Sequence, residues 1–177
     1  MHIVIPDDYQ DGVRGLECFK RLSGHQVTVY NDTVRDLDAL TERFRAAEAL
    51  VLIRERTPIT DALLERLPNL RLISQTGKGI AHVDLDACTR RGVAVATGAG
   101  APYAAAELTW GLVLSAMRHI PDQVAAMKAG HWQTRLGRGL RGRTLGIFGY
   151  GKIGSLVADF GRSFGMRVLV WGREGSL

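Results

Sequence analysis

The residues of this chain best suited to chemistry are Gly149-Tyr150-Gly151-Lys152-Ile153-Gly154. They follow an apolar run, Thr144-Leu145-Gly146-Ile147-Phe148, that reads as a buried strand. A helix is expected from about Lys152 to Phe164, and a second strand over Arg167–Trp171. In that setting each glycine has a separate task. Gly149 permits a tight turn, Gly151 lets backbone approach a pyrophosphate, and Gly154 allows close packing of helix on strand. Unpaired amides at the helix start carry partial positive charge toward the phosphates. The series therefore predicts a dinucleotide site.

The end of the second strand bears on which dinucleotide. NAD binders usually place an acid about 20 residues beyond the glycines, on the ribose hydroxyls. Here that position is Gly172, followed by Arg173 and Glu174. Glycine removes a charge that would repel a 2′-phosphate, and arginine can pair with that phosphate bidentately. The pattern favours NADP(H), while Glu174 keeps NAD(H) open.

The elements that must hold this site come next. The chain has 177 residues, 46% hydrophobic and 23% charged, which suits one domain or two small ones. Short Val-, Ile- and Leu-rich runs at His2–Ile5, Gln26–Tyr30, Ala49–Ile53, Arg71–Ser74 and Val93–Ala96 read as parallel strands. Between them, Val13–Leu22, Asp36–Ala47, Asp61–Leu67 and Leu85–Arg91 read as helices, with Thr60 and Asp84 as N-caps and Gly92 as a stop. Five such units predict an open, doubly wound α/β domain. The small-residue stretch Thr97–Pro102 marks a boundary. A long apolar helix over Tyr103–Arg118 follows, then another from Pro121 to about Ala129, closed by Gly130.

Composition also narrows the classes. No apolar run approaches the roughly 20 residues of a membrane span, and Met1–Ile5 reads as a first strand rather than a signal peptide. Cys18 and Cys88 form no close metal-type pair, so a reduced, cytoplasmic setting is expected. The net charge is +5, and Lys128, Arg135, Arg138, Arg141 and Arg143 occur in one stretch. Only Trp132 interleaves with them, so a solvated connecting loop is expected in preference to a nucleic-acid interface.

Three stretches together carry a family resemblance: Leu70–Asp84 (LRLISQTGKGIAHVD), Ala106–Trp110 (AELTW) and Thr144–Gly154. The chain resembles the D-isomer-specific 2-hydroxyacid dehydrogenases, and within them the D-3-phosphoglycerate dehydrogenase type. The resemblance implies a flavodoxin-like substrate domain over residues 1–98. Residues 99–177 would then be the first β-α-β part of a Rossmann dinucleotide domain, with the active site in the cleft between the two. It further implies that backbone amides of the Gly77–Ile80 loop hold the substrate carboxylate, with Lys78, Gly79 and Ile80 as substrate residues. Arg54 matches an arginine that faces the substrate, and Arg56 is a second candidate. Thr109, with Glu107, matches a motif at the start of the long helix and is assigned to the cofactor side.

The implied activity is hydride transfer between NAD(P) and a 2-hydroxy/2-oxo acid such as 3-phosphoglycerate, hydroxypyruvate or glyoxylate, in a homodimer. The long helix and the Ile120–Arg143 arm are the expected interface. Family enzymes also use an arginine, an acid and a histidine beyond the second dinucleotide strand. None of His2, His25, His82, His119 and His131 matches that histidine, although His82 lies nearest the substrate loop. The sequence reaches Leu177 before any of the three, so the expectation is a C-terminally truncated member without catalytic residues of its own, inactive alone. The alternative is a non-catalytic, dinucleotide-sensing binding protein of the same fold.

Overall fold

The computed structural model describes residues 1–173. The chain divides into two compact units, Met1–Gly100 and Ala101–Leu177. Each is described by itself.

The first unit is a five-stranded, wholly parallel sheet. Its strands are β1 (His2–Ile5), β2 (Gln26–Val29), β3 (Ala49–Leu52), β4 (Leu72–Gln75) and β5 (Ala94–Thr97), in the order β2-β1-β3-β4-β5. This is the flavodoxin-like doubly wound order, whose switch point lies between β1 and β3. Alternate residues of a strand point to opposite faces. Val4 therefore joins a core with Leu50, Leu52 and Ile73, beneath Phe44, Leu63 and Cys88. Ile3 and Ile5 meet Val13, Phe19 and Leu22 on the other face.

Three short helices complete this unit: α1 (Leu37–Phe44), α2 (Asp61–Leu64) and α3 (Leu85–Arg90). Their starts are fixed by side-chain caps. Asp36 accepts from the amides of Asp38 and Ala39, Thr60 from Leu63, and Asp84 from Ala87. The caps expected at Thr60 and Asp84 are thus present, and Gly92 follows α3 with φ of +69°.

The expected α-helix over Val13–Leu22 is not formed. Two 3₁₀ segments, Val13–Gly15 and Glu17–Leu22, stand there instead. The reason is in the spacing. Val13, Leu16, Phe19 and Leu22 recur every third residue, which aligns them on a helix of three residues per turn rather than 3.6. Other differences are end effects of one to three residues: α1 stops at Phe44, α2 at Leu64, and β4 and β5 each begin one residue later than expected.

The second unit holds α4 (Tyr103–Arg118), α5 (Ile120–Lys128), β6 (Thr144–Phe148), α6 (Lys152–Ser163) and β7 (Arg167–Trp171). β6 and β7 pair in parallel, Thr144 with Arg167 through Phe148 with Trp171. Leu145, Ile147, Val168 and Val170 face a core completed by Trp110 of α4 and by Val157, Ala158 and Phe160 of α6. The Trp110 ring meets the edge of Phe164 at 4.9 Å and Phe160 at 6.0 Å. Opposite alternate positions, Phe148, Leu169 and Trp171, are exposed. His119, with φ of +53°, makes the sharp joint between α4 and α5. In the basic stretch, Arg135 pairs with Asp122 at 2.7 Å and Arg143 bonds the Gly139 carbonyl at 2.7 Å. No helix among the described residues is long and apolar enough to cross a membrane.

Candidate functional site

In the first unit the chemically distinctive residues gather where β1, β3 and β4 end. Carboxyl ends of parallel strands beside a switch point are where such sheets bind ligands. After β4 the chain enters Gly77-Lys78-Gly79-Ile80. Among the described residues, the amides of these four positions make no hydrogen bond, nor do those of Ala81 and His82; Thr76 just before the run donates to Leu52, and pairing resumes where Val83 donates to Ile80. A run of unpaired amides on a glycine-rich turn is a seat for an anion. Lys78 is exposed and adds positive charge. A Cβ at Gly79 would meet the Glu55 carboxylate, so a larger residue there would require the exposed Glu55 side chain to move.

The two candidate arginines differ. Arg56 is committed: its guanidinium donates to the Asp7 carbonyl and stacks 4.1 Å over the Tyr9 ring. The exposed guanidinium of Arg54 has no hydrogen-bond or ion-pair partner among the described residues, so it is available to an anion. Its backbone is left-handed, with φ of +58°. Asp7 is likewise left-handed, at +63°, and buried. Its carboxylate accepts from Thr33 and, at 2.6 Å, from Thr57. Asp8, also buried, accepts from the amides of Gly12 and Val13.

His82 stands beside this group. Among the described residues neither ring nitrogen has a partner, and burial pushes its pKa below the ordinary imidazole value, with the nearby Glu55 charge opposing. Cys88 is buried, and its thiol is pushed up by burial and by Asp84.

Sequence reasoning passed over Asp7, Glu55 and Gln75. Only Gln75 left a signal. It stands two residues beyond Ile73 on one strand, so a polar side chain shares the face of a core isoleucine.

In the second unit the glycine turn has the form its spacing implies. Gly149, at φ of +90°, donates its amide to the Trp171 carbonyl at 2.7 Å, which ties the turn to the end of β7. The helix begins at Lys152 with Gly151 as its N-cap, and its first bond into the turn runs from the Ser155 amide to the Gly151 carbonyl. The amides of Tyr150, Gly151, Lys152, Ile153 and Gly154 make no hydrogen bond among the described residues. Nothing lies within 4 Å of a Cβ built on Gly151, leaving space on that side, whereas a Cβ at Gly154 would overlap the Gly149 carbonyl oxygen. An open seat of unpaired amides at a helix N-terminus fits a dinucleotide pyrophosphate. Gly172 and Arg173 follow β7 directly, and Glu174 lies outside the described residues. Thr109 sits on α4 and donates its hydroxyl to the Ala105 carbonyl at 2.8 Å.

Comparison with known proteins covers residues of both units. Residues 8–163 match the model of the D-isomer specific 2-hydroxyacid dehydrogenase, catalytic domain. The D-3-phosphoglycerate dehydrogenase of Methanocaldococcus jannaschii is 35% identical over 135 residues, covering 75% of this chain and 26% of that enzyme. The crystal structure of a phosphoglycerate oxidoreductase from Vibrio cholerae o395 is 58% identical with a TM-score of 0.92, over 99% of this chain and 57% of that one. A D-lactate dehydrogenase from Aquifex aeolicus, solved with NAD and lactic acid, is 27% identical with a TM-score of 0.70, over 98% of this chain and 53% of that one. The chain thus spans about a quarter of that curated relative and just over half of the solved chains. The chain belongs to the D-isomer specific 2-hydroxyacid dehydrogenase family.

Proposed function

We propose that this chain binds a 2-hydroxy/2-oxo acid on its first unit and a nicotinamide dinucleotide on its second, in the service of hydride transfer between them. The observation that carries the reading is a pair of unpaired amide runs, Gly77–Ile80 and Tyr150–Gly154, one on each unit. The first takes the substrate carboxylate, with Arg54 and Lys78 as supporting cations and Gly79 and Ile80 as backbone donors. The second takes the pyrophosphate. When bound, the dinucleotide supplies the hydride acceptor or donor. Thr109 is assigned to the cofactor side. Substrates of the size of 3-phosphoglycerate, hydroxypyruvate and glyoxylate fit the resemblance.

Gly172-Arg173 supports a preference for NADP(H). Charge-assisted hydrogen bonds to a phosphate contribute about 1.5–3 kcal/mol, so NADPH is expected to bind at least tenfold more tightly than NADH. Removing the Arg173 side chain should erase the difference. Equal affinities, or tighter NADH binding, would overturn the preference.

A second reading, a non-catalytic dinucleotide-sensing protein, is favoured by the histidines. The one beside the substrate loop, His82, has no carboxylate bonded to its ring among the described residues. Demonstration of turnover by this chain would remove that reading. Exposed apolar side chains on α4 (Tyr103, Leu108, Leu112) and α5 (Ile120, Val124, Met127) support a homodimer through these helices. Sedimentation of the chain tests that point. The free thiols at Cys18 and Cys88 support a reduced, cytoplasmic setting.

A further inference from the structure

We infer that Gln75 is a positioning residue: its side-chain amide holds Arg54 in a left-handed backbone conformation and so sets the direction of the Arg54 guanidinium. The inference rests on the reading above, in which Arg54 faces the substrate anion.

Gln75 closes β4 and is 2% exposed. A buried carboxamide is costly unless it is hydrogen-bonded. Here Nε2 donates to the Arg54 carbonyl at 3.0 Å, while Oε1 has no partner among the described residues. Half of the polar group is thus left unsatisfied, and a hydrocarbon of the same shape would avoid that cost. What Gln75 provides in return is the single bond to Arg54.

That bond falls where the backbone needs holding. β3 ends at Leu52, and two residues later Arg54 has φ of +58°. A long L side chain rarely adopts this region, and it persists only where surroundings over-determine it. The surroundings do so at and just beyond residue 54. Gln75 fixes the Arg54 carbonyl, and the buried Asp7 receives Arg56 through its carbonyl and Thr57 through its carboxylate. Beside these anchors, the Arg54 guanidinium has no partner among the described residues. Without the Nε2 donor, its backbone relaxes toward ordinary helical or extended angles, and the direction in which the side chain leaves the backbone changes with it. Gln75 itself touches no substrate in this scheme.

The test is a double-mutant cycle on the whole 177-residue chain, with D-glycerate as the probe and amide chemical shifts of Gly77–Ile80 as the readout. Gln75→Glu keeps shape and removes the donor; Gln75→Met keeps volume without either polar atom and serves if the buried charge unfolds the chain. Each is expected to weaken D-glycerate binding about three- to tenfold, the range of one ordinary hydrogen bond. Arg54→Ala should weaken it at least as much. Combining either Gln75 variant with Arg54→Ala should cost nothing beyond Arg54→Ala, because both act through one guanidinium. Additive losses, or full affinity in the Gln75 variants while Arg54→Ala weakens binding, would overturn the inference. If Arg54→Ala leaves binding unchanged, the substrate reading of Arg54 fails. The backbone torsion of residue 54, read from chemical shifts, then decides for Gln75: departure from the left-handed region upholds the contact's role, and retention overturns it.

Discussion

The carbonyl oxygen of Gly149 occupies the place where any side chain at position 154 would put its Cβ. The turn and the first turn of α6 are therefore packed backbone to backbone. Gly151, between them, faces open space. The two glycines can thus be separated by experiment. Gly154→Ala is expected to lower stability by about 1–3 kcal/mol, because overpacking against rigid backbone cannot be relieved by rotating a side chain. Gly151→Ala should melt near the parent temperature yet lose most affinity for NADPH. Thermal melts with dinucleotide titration check both, and a stable Gly154→Ala chain would contradict the packing argument.

Trp110 joins α4 to α6 by packing on Phe160 and Phe164, and it is 8% exposed. Trp110→Ala should destabilise the second unit by about 3–5 kcal/mol. Trp110→Phe should cost clearly less, because the Nε1 it removes has no partner among the described residues. Urea denaturation followed by signals from the second unit measures this, and equal losses in the two variants would argue against the packing.

His82 gives a pH signature. Its pKa is depressed in the fold by burial, with Glu55 opposing. The unfolded chain therefore takes up the proton first as pH falls. The associated stability is complete above the ordinary histidine value of about 6.5 and declines as pH drops below it toward the folded value. His82→Gln should flatten that part of the stability profile. Identical profiles between about pH 5 and 7.5 for parent and variant would show that His82 contributes nothing.

Among the described residues, no histidine ring of the first unit is hydrogen-bonded to a carboxylate: His2 pairs with Thr28, and the His82 ring nitrogens have no partner. The 177-residue chain alone is therefore expected to show no NAD(P)H-dependent reduction of hydroxypyruvate. A clear, enzyme-dependent rate of dinucleotide oxidation would contradict this.

Much of this organisation was legible from local pattern. The strand, glycine turn and helix around Gly149–Gly154 are set by neighbours in sequence, so residue spacing alone located β6 and β7 at their observed ends. The caps at Thr60 and Asp84 were readable for the same reason. The Val13–Leu22 segment departs from an α-helix because its apolar residues recur every third position, a spacing that suits 3₁₀ turns and only approximates the α-helical period. What stayed hidden depends on contacts between distant residues. Arg54 and Arg56 look alike in sequence, and only the fold brings Asp7 and Tyr9 to Arg56 while leaving Arg54 unpaired. Gln75 could be seen as a polar residue at a buried position, but its bond to Arg54 spans two strands. Glu55 gave no sign of its place against Gly79.

The central claim is that the Tyr150–Gly154 turn is a dinucleotide site. The most direct measurement is a titration of the chain with NADPH, observed residue by residue through backbone amide shifts. Saturable binding is expected, with the largest shifts at Tyr150, Gly151, Lys152, Ile153 and Gly154 and further shifts at Gly172 and Arg173. No saturable binding, or binding that leaves those amides unmoved, would contradict the account.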